Sequence, residues 1–177
     1  MNWSNEKILK IAMEQSAFDA NCSAEDFLCE KNVIAISKPS ENARKYLKLP
    51  HACNLISYGK NIVATISEEY REIVENYINR FAVEHCFETP NMHVLNDAFE
   101  KHGFRVCFMA EYFLPDLNVL PALPCDFELK LLKPEDFANL YLPEWSNALC
   151  EKRKHLDILC VGAFDGQKLV GLAGCSA

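Results

Sequence analysis

The clearest pattern of apolar and polar positions lies at the end of the chain, in residues 156–177. Two apolar runs, 158–164 and 169–175, flank the dipeptide Asp165-Gly166. Glycine after aspartate supplies the positive φ that a tight turn needs, so the pattern predicts a β-hairpin. Both runs are apolar almost throughout, which is typical of strands covered on both faces. We expect an upstream strand or another chain to cover the free edge, unless the protein is cut short after Ala177.

Apolar periodicity divides the first 114 residues between helices and short strands. Residues 5–18 place apolar side chains at helical spacing, with Ser4 as a candidate N-cap. Two apolar runs at 53–58 and 61–66 meet at Gly59-Lys60 and predict a hairpin. The other elements predicted here are helices that open near Ser23, Ser67 and Pro90, and strands at 33–37 and 104–114.

The pattern changes at PDLNVLPALP, residues 115–124, which contains three prolines. We interpret 115–125 as a stiff proline-rich linker between an N-terminal α/β domain at 1–114 and a second domain at 126–177. In the second domain, 127–132 alternates as in a half-buried strand, with Glu128 and Lys130 facing away from the leucines. Pro134 and Pro143 then open two predicted helices, the second covering 144–152.

The order of these elements resembles a known family. ELKLLKPEDF at 128–137 and VGAFDGQKLVGLAG at 161–174 give a strand, two helices and a hairpin. This is similar to the opening half of the GNAT N-acetyltransferase superfamily. The resemblance implies an α/β (α+β) fold with a GNAT-like mixed sheet flanked by helices, incomplete at the C-terminus. It also implies transfer of an acyl group from acetyl-CoA to an amine on a small molecule or peptide.

The likeness ends before the part of the family that binds CoA. There the fourth strand is followed by an Arg/Gln-x-x-Gly-x-Gly/Ala loop whose N–H groups hold the pyrophosphate. The glycines from 162 to 174 lie within or between strand candidates instead. No catalytic or cofactor-binding residue is therefore assigned, and we expect this chain not to bind acetyl-CoA tightly.

The helices at 134–152 correspond to the side that meets the acceptor amine in relatives. Glu144, Trp145 and Glu151 are the acceptor-side candidates, because carboxylates and an aromatic face suit a cation. The alternative interpretation is a solvated edge with one core tryptophan. Residues 95–114 also resemble the helix–xxGF–strand segment that closes GNAT domains, which suggests a degenerate GNAT-like domain at 1–114. A glycine-capped helix running into a strand is the simpler interpretation of that segment.

Composition bears on four further questions: nucleic-acid binding, membrane insertion, cellular compartment and metal binding. A formal net charge of −7 argues against a general nucleic-acid binder. No apolar run approaches a membrane span, and the N-terminus has no signal-peptide core. The nine cysteines are odd in number and widely spaced, so we expect reduced thiols and a cytoplasmic protein. His85, Cys86 and His93 lack the spacing of a zinc site, and no metal is predicted.

Three hypotheses follow from these patterns. The first is a GNAT-family N-acetyltransferase, truncated before its CoA-binding half and inactive as this chain. The second is a non-catalytic binding or dimerisation module that uses the free edge of 168–175 to form a homodimer. The third is a thiol enzyme that uses Cys22, whose pKa we expect a following helix start to lower.

Overall fold

The structure is a computed structural model that describes residues 3–120 and 124–176. It is a mixed α+β chain with two compact units, Met1–Leu120 and Pro121–Ala177, called here unit 1 and unit 2. Residues 121–123 of the predicted linker lie outside the described residues. Within the described ranges, no helix is both long enough and apolar enough to cross a membrane.

Unit 1 is built from three helices and a three-stranded sheet. The helices are α1 (Asn5–Ala20), α2 (Arg71–Ile78) and α3 (Thr89–Glu100), and the strands are β1 (Val33–Ile36), β2 (Cys53–Ile56) and β3 (Val63–Ile66). The sheet order is β1-β3-β2, with β1 parallel and β2 antiparallel to the central β3. The predicted hairpin at 53–66 is therefore confirmed.

The ends of α1 confirm the local signals in its sequence. Ser4 Oγ accepts a hydrogen bond from the Lys7 backbone N–H at 3.2 Å, as expected of an N-cap. Asn21 ends the helix in the left-handed region, with φ of 52°. Its side-chain amide donates to the Ile36 carbonyl oxygen at 3.0 Å, which fixes the end of α1 against β1.

Strand β3 is buried along its whole length because both faces of its sheet are covered. On one face, Ala64 and Ile66 pack with Val74 of α2 and with other buried side chains of α2 and α3. On the other face, Val63 packs against Met13 of α1 and against Phe27. This sheet is therefore the middle layer of a complete core.

Unit 2 contains a second three-stranded sheet. Its elements are β4 (Glu128–Leu132), α4 (Pro134–Phe137), β5 (Asp157–Asp165) and β6 (Lys168–Ser176). The strand order is β4-β5-β6, and both strand pairs are antiparallel, so the predicted terminal hairpin is confirmed. Asp165 pairs with Lys168, so the turn is Gly166-Gln167, one residue later than predicted, and Gly166 has the positive φ of 60°.

The second sheet is covered on one face only. Phe137 and Leu149, from the connection between β4 and β5, are buried against Cys160 of β5. On the opposite face, Leu131 is 64% exposed and Val161, its cross-strand partner, is 41% exposed. The expectation that both faces are covered is therefore wrong for the described residues.

The alternation of β4 is also inverted with respect to the prediction. Lys130 pairs with the buried Gly162, so it belongs to the covered face, where its ammonium lies 4.9 Å from the centre of the Phe164 ring. Leu129 and Leu131 belong to the open face, although the pattern predicted them to be half-buried. Because β4 is an edge strand, its charged side chains still reach solvent.

Two predicted elements are absent from the structure. Residues 104–114 form no strand, because propensity alone does not make one without a neighbouring strand. The predicted helix at 144–152 is replaced by two short 3-10 turns, Pro143–Trp145 and Glu151–Arg153. Ser146 and Asn147, between them, are poor interior residues for a helix.

A third predicted element is present in a tighter form. The short helix predicted near Ser23 is a 3-10 helix, Ala24–Leu28.

Candidate functional site

The three acceptor-side candidates lie on the connection between β4 and β5. Glu144 and Trp145 share the first 3-10 turn, and Glu151 belongs to the second. Glu144 and Glu151 are exposed, and Glu151 accepts a hydrogen bond from Lys154 Nζ at 2.8 Å. Among the described residues, no hydrogen bond or ion pair joins Glu151 to the other two. The structure therefore does not assemble the three into one polar site.

The polar cluster that the structure does assemble in unit 2 is centred on Asp157, the first residue of β5. Its Oδ1 accepts a hydrogen bond from Ser176 Oγ at 2.6 Å, and its Oδ2 accepts one from the Tyr141 hydroxyl at 3.1 Å. Asp157 is only 7% exposed. The cluster thus joins the β4–β5 connection to the beginning of β5 and the end of β6.

The protonation states of Tyr141 and Cys160 follow from their burial next to the carboxyl group of Asp157. Burial, and secondly the hydrogen bond to Asp157, raise the pKa of Tyr141 to about 12. Tyr141 is therefore a hydroxyl donor at neutral pH. Burial also raises the pKa of Cys160, with Asp157 as the next cause, so this thiol stays protonated.

The electrostatic environment of Asp157 differs from that of Asp19, a buried carboxylate in unit 1. Asp19 is 3% exposed, and its Oδ2 accepts from Arg44 Nε at 2.5 Å while its Oδ1 accepts from the Arg44 backbone N–H at 2.8 Å. An arginine therefore balances Asp19. Within residues 3–120 and 124–176, no lysine or arginine lies within ion-pair distance of Asp157. Of the two, Asp157 is the buried carboxyl group without a lysine or arginine partner in the described ranges.

Sequence reasoning missed this cluster because its members are far apart in the chain. The pairing of β5 with β6 brings Ser176 to Asp157, and the packing of the β4–β5 connection against β5 brings Tyr141. One signal was present, since Asp157 opens an otherwise apolar strand. A charged residue at that position needs partners, which its neighbours in sequence do not supply.

The cysteines behave differently from the prediction. Burial, and then the charge of Asp26, raise the pKa of Cys22 to about 11, so the expected lowering is wrong. Cys22 directly follows the C-terminal end of α1, where the helix dipole disfavours a thiolate. Cys150 is the thiol whose pKa is lowered, chiefly by a hydrogen bond from Arg153.

The other cleft and side-chain clusters give weaker candidates for a binding site. A depression of about 480 Å³ in unit 1 is lined by charges of both signs, and two of them, Lys60 and Glu30, pair at 2.6 Å. Across the part of the chain that the structure describes, no group of three or more His, Cys, Asp or Glu residues is arranged to hold a metal ion. His85 Nδ1 lies 2.9 Å from Glu88 instead.

No protein-family model, curated protein or solved structure matches the chain. The functional interpretation therefore depends on the topology of unit 2 and on the groups around Asp157.

Proposed function

We propose that residues 126–177 supply the amine-binding half of a GNAT-type N-acyltransferase domain, which transfers an acyl group from a CoA thioester to an amine. The observation that carries the proposal is the sheet order β4-β5-β6, fully antiparallel, with a helical connection between β4 and β5. This matches the family's opening order of first strand, helical segment, second strand and third strand. Fold-level analogy gives the reaction class, while the polar groups give the binding site.

The packing of the connection supports its role as one wall of a binding site. Leu149 is 2% exposed and belongs to the same cluster as Phe137 and Cys160. One residue earlier, the Ala148 carbonyl lies so close to Gly174 of β6 that a Cβ on residue 174 would overlap it. The connection is therefore held against both β5 and β6, and a rigid wall keeps binding groups in place.

Asp157 is the group that we assign to amine recognition. An acceptor amine reaches a protein at neutral pH as an ammonium ion, which donates strong hydrogen bonds to a carboxylate. Each oxygen of Asp157 already accepts one hydroxyl hydrogen bond and retains capacity for another. Tyr141 and Ser176 orient the carboxyl group through these hydrogen bonds, and Ser176 lies at the exposed end of β6.

The glycines of unit 2 support the assignment of the amine side alone. Gly162 and Gly174 lie inside β5 and β6, where neighbouring atoms leave no room for a side chain, and Gly166 forms the hairpin turn. None of the three precedes a helix, so their N–H groups do not form a phosphate-binding loop. We therefore derive no catalytic step from this chain and assign only the amine side.

Titration of isotope-labelled protein with 1,5-diaminopentane, followed by NMR, tests the assignment. We expect chemical-shift changes that cluster at Tyr141, Asp157 and Ser176, with a millimolar dissociation constant. Asp157→Asn should weaken binding at least tenfold, because the amide carries no charge. Asp165→Asn is the matched control, since it removes a carboxylate at the other, exposed end of β5.

Two results would contradict the proposal. One is equal weakening by the two aspartate variants, which would indicate general charge attraction. The other is no localised shift at 20 mM diamine while the spectrum shows a folded protein. Calorimetry with acetyl-CoA tests whether this chain supplies only the amine side of the domain. We expect no micromolar binding of acetyl-CoA by this chain.

A further inference from the structure

Residues 104–114, called here the exposed segment, carry the most exposed apolar side chains of unit 1. Phe113 is 87% exposed, Phe108 is 73% exposed and Met109 is 53% exposed. Monomeric proteins rarely leave a continuous run of large apolar side chains in water, and such runs mark interaction sites. The segment is therefore a candidate interface.

The backbone of the exposed segment has few partners, although the Phe104 ring packs against Tyr70 at 5.7 Å and the Tyr112 ring lies 6.0 Å from the Arg44 guanidinium. Phe104 N–H donates to the Phe99 carbonyl, and Val106 N–H donates to Asn96 Oδ1. From 107 to 115, within the described part of unit 1, the backbone makes no hydrogen bond to another backbone group. A strand-forming sequence in this state lacks a neighbouring strand, and a lipid surface would not supply one.

The charges of the exposed segment indicate which partner pairs with it, namely a second copy of the same segment. Arg105 and Glu111 are its two charged residues, and each lies three positions from Phe108. If two copies of the segment pair antiparallel about Phe108, Arg105 of each copy faces Glu111 of the other. Any other antiparallel register separates these two charges. Opposite charges across a strand pair stabilise it, and the two-fold symmetry makes the contact twice.

The apolar positions agree with the same register. Phe104 would face Tyr112 of the other copy, and Phe108 would face its own equivalent on the axis. Aromatic cross-strand pairs are among the more favourable ones in antiparallel sheets. Arg105 now pairs with Glu100 at 2.7 Å on the surface, a kind of contact that contributes little and is readily exchanged.

From these observations we propose that the chain forms a homodimer by antiparallel pairing of the exposed segment, with Phe108 on the two-fold axis. The surface is distinct from the amine site around Asp157, so the dimer does not depend on the proposed function. It also differs from the outer edge of β6, the surface that the sequence predicts for dimerisation.

Charge reversal gives the sharpest test, with sedimentation velocity from 1 to 200 μM as the measurement. We expect Glu111→Arg and Arg105→Glu each to raise the dimer dissociation constant at least tenfold, because each variant opposes like charges twice. The double variant should return it to within threefold of the parent. Glu84→Arg is the control, since it makes the same charge change at an exposed position outside the segment.

Cross-linking tests the register independently. In a Cys107→Ser background, Phe108→Cys places two thiols directly opposite each other across the axis, within the Cα separation that a disulfide accepts. Mild copper–phenanthroline oxidation should give a covalent dimer faster than for Val119→Cys, which is a matched control because Val119 is 72% exposed. Far-UV circular dichroism verifies that each variant is folded.

Three outcomes would overturn the proposal. The first is a monomer at 200 μM. The second is a dimer that both single charge reversals leave unchanged, as pairing through β6 would. The third is a double variant as weak as the single ones, which would mean that the two charges do not meet.

Discussion

The two sheets of the molecule have three strands each, yet they differ in how they are covered. In unit 1, every residue of the central strand β3 is buried, since helices pack on both faces. In unit 2, only three of the nine residues of the central strand β5 are buried, and one face of the sheet is open. A sheet with an apolar open face is one layer of a structure that needs another. The comparison shows that strand pairing alone does not complete a core.

Truncation of an apolar side chain to alanine should give the largest difference in the free energy of unfolding between the two sheets. Ile66→Ala in β3 leaves a cavity where the side chain is 0% exposed, so we expect a loss of about 2–5 kcal/mol in the free energy of unfolding. Leu131→Ala on the open face should change it by less than about 0.5 kcal/mol. Urea unfolding measures both, followed by circular dichroism for Ile66→Ala and by Trp145 fluorescence in a Trp3→Phe background for Leu131→Ala. A large loss for Leu131→Ala would show that the open face is buried in solution.

Substitution of glycine within β6 should have an intermediate effect. A Cβ at Gly174 would overlap the backbone carbonyl of Ala148, which cannot rotate away, so Gly174→Ala should destabilise unit 2 by about 1–3 kcal/mol. Gly171→Ala is the control in the same strand, because its Cβ would meet only the Ala163 methyl at 3.5 Å. Trp145 fluorescence in a Trp3→Phe background reports unit 2. Equal destabilisation by the two variants would contradict the close contact of Ala148 with β6.

A tyrosine from each unit gives the smallest but most specific comparison. The pKa of Tyr77 and that of Tyr141 are both raised to about 12, first by burial, and Asp157 contributes only to the second. The unfolded chain then loses these protons near pH 10, before the folded chain does. Stability should therefore be complete below pH 10 and fall as the pH rises from 10 to about 12. Ultraviolet titration at 295 nm measures the ionisation.

The same titration distinguishes the two tyrosines. Asp157→Asn should lower the pKa of Tyr141, because a neutral amide repels a phenolate less than a carboxylate does. Tyr77 should be unchanged, since its hydroxyl donates to the Cys86 carbonyl at 2.7 Å. If the variant leaves both transitions in place, the Tyr141–Asp157 contact is not maintained in solution.

Elements set by signals close in sequence were predicted well. Ser4 fixes the start of α1, and the turn residues Gly59 and Gly166 fix the two hairpins by their own preferences, whereas Asn21, which ends α1, was not predicted. The predicted helix near Pro90 is α3, which begins one residue before that proline and ends ahead of Gly103. In these cases the pattern and the local backbone chemistry agree, so the sequence alone was sufficient.

Elements that depend on distant partners were predicted poorly. The residues of 104–114 favour a strand, but the described structure places none beside them. Leu129 and Leu131 alternate correctly, yet the side of the sheet that is covered is decided by where 134–152 packs. The cluster of Tyr141, Asp157 and Ser176 was missed for the same reason. The GNAT assignment, which also rests on the order of distant elements, stays a proposal.

The parallel pairing of β1 with β3 has a consequence for synthesis of the chain. Val33 pairs with Val63, thirty residues later, whereas β2 and β3 are neighbours in sequence. At ribosomal speeds of about 5–20 residues per second, β1 leaves the tunnel about 2–6 seconds before its partner. During that interval the nascent strand has no backbone partner, and α1, attached through Asn21, is the element that can shelter it.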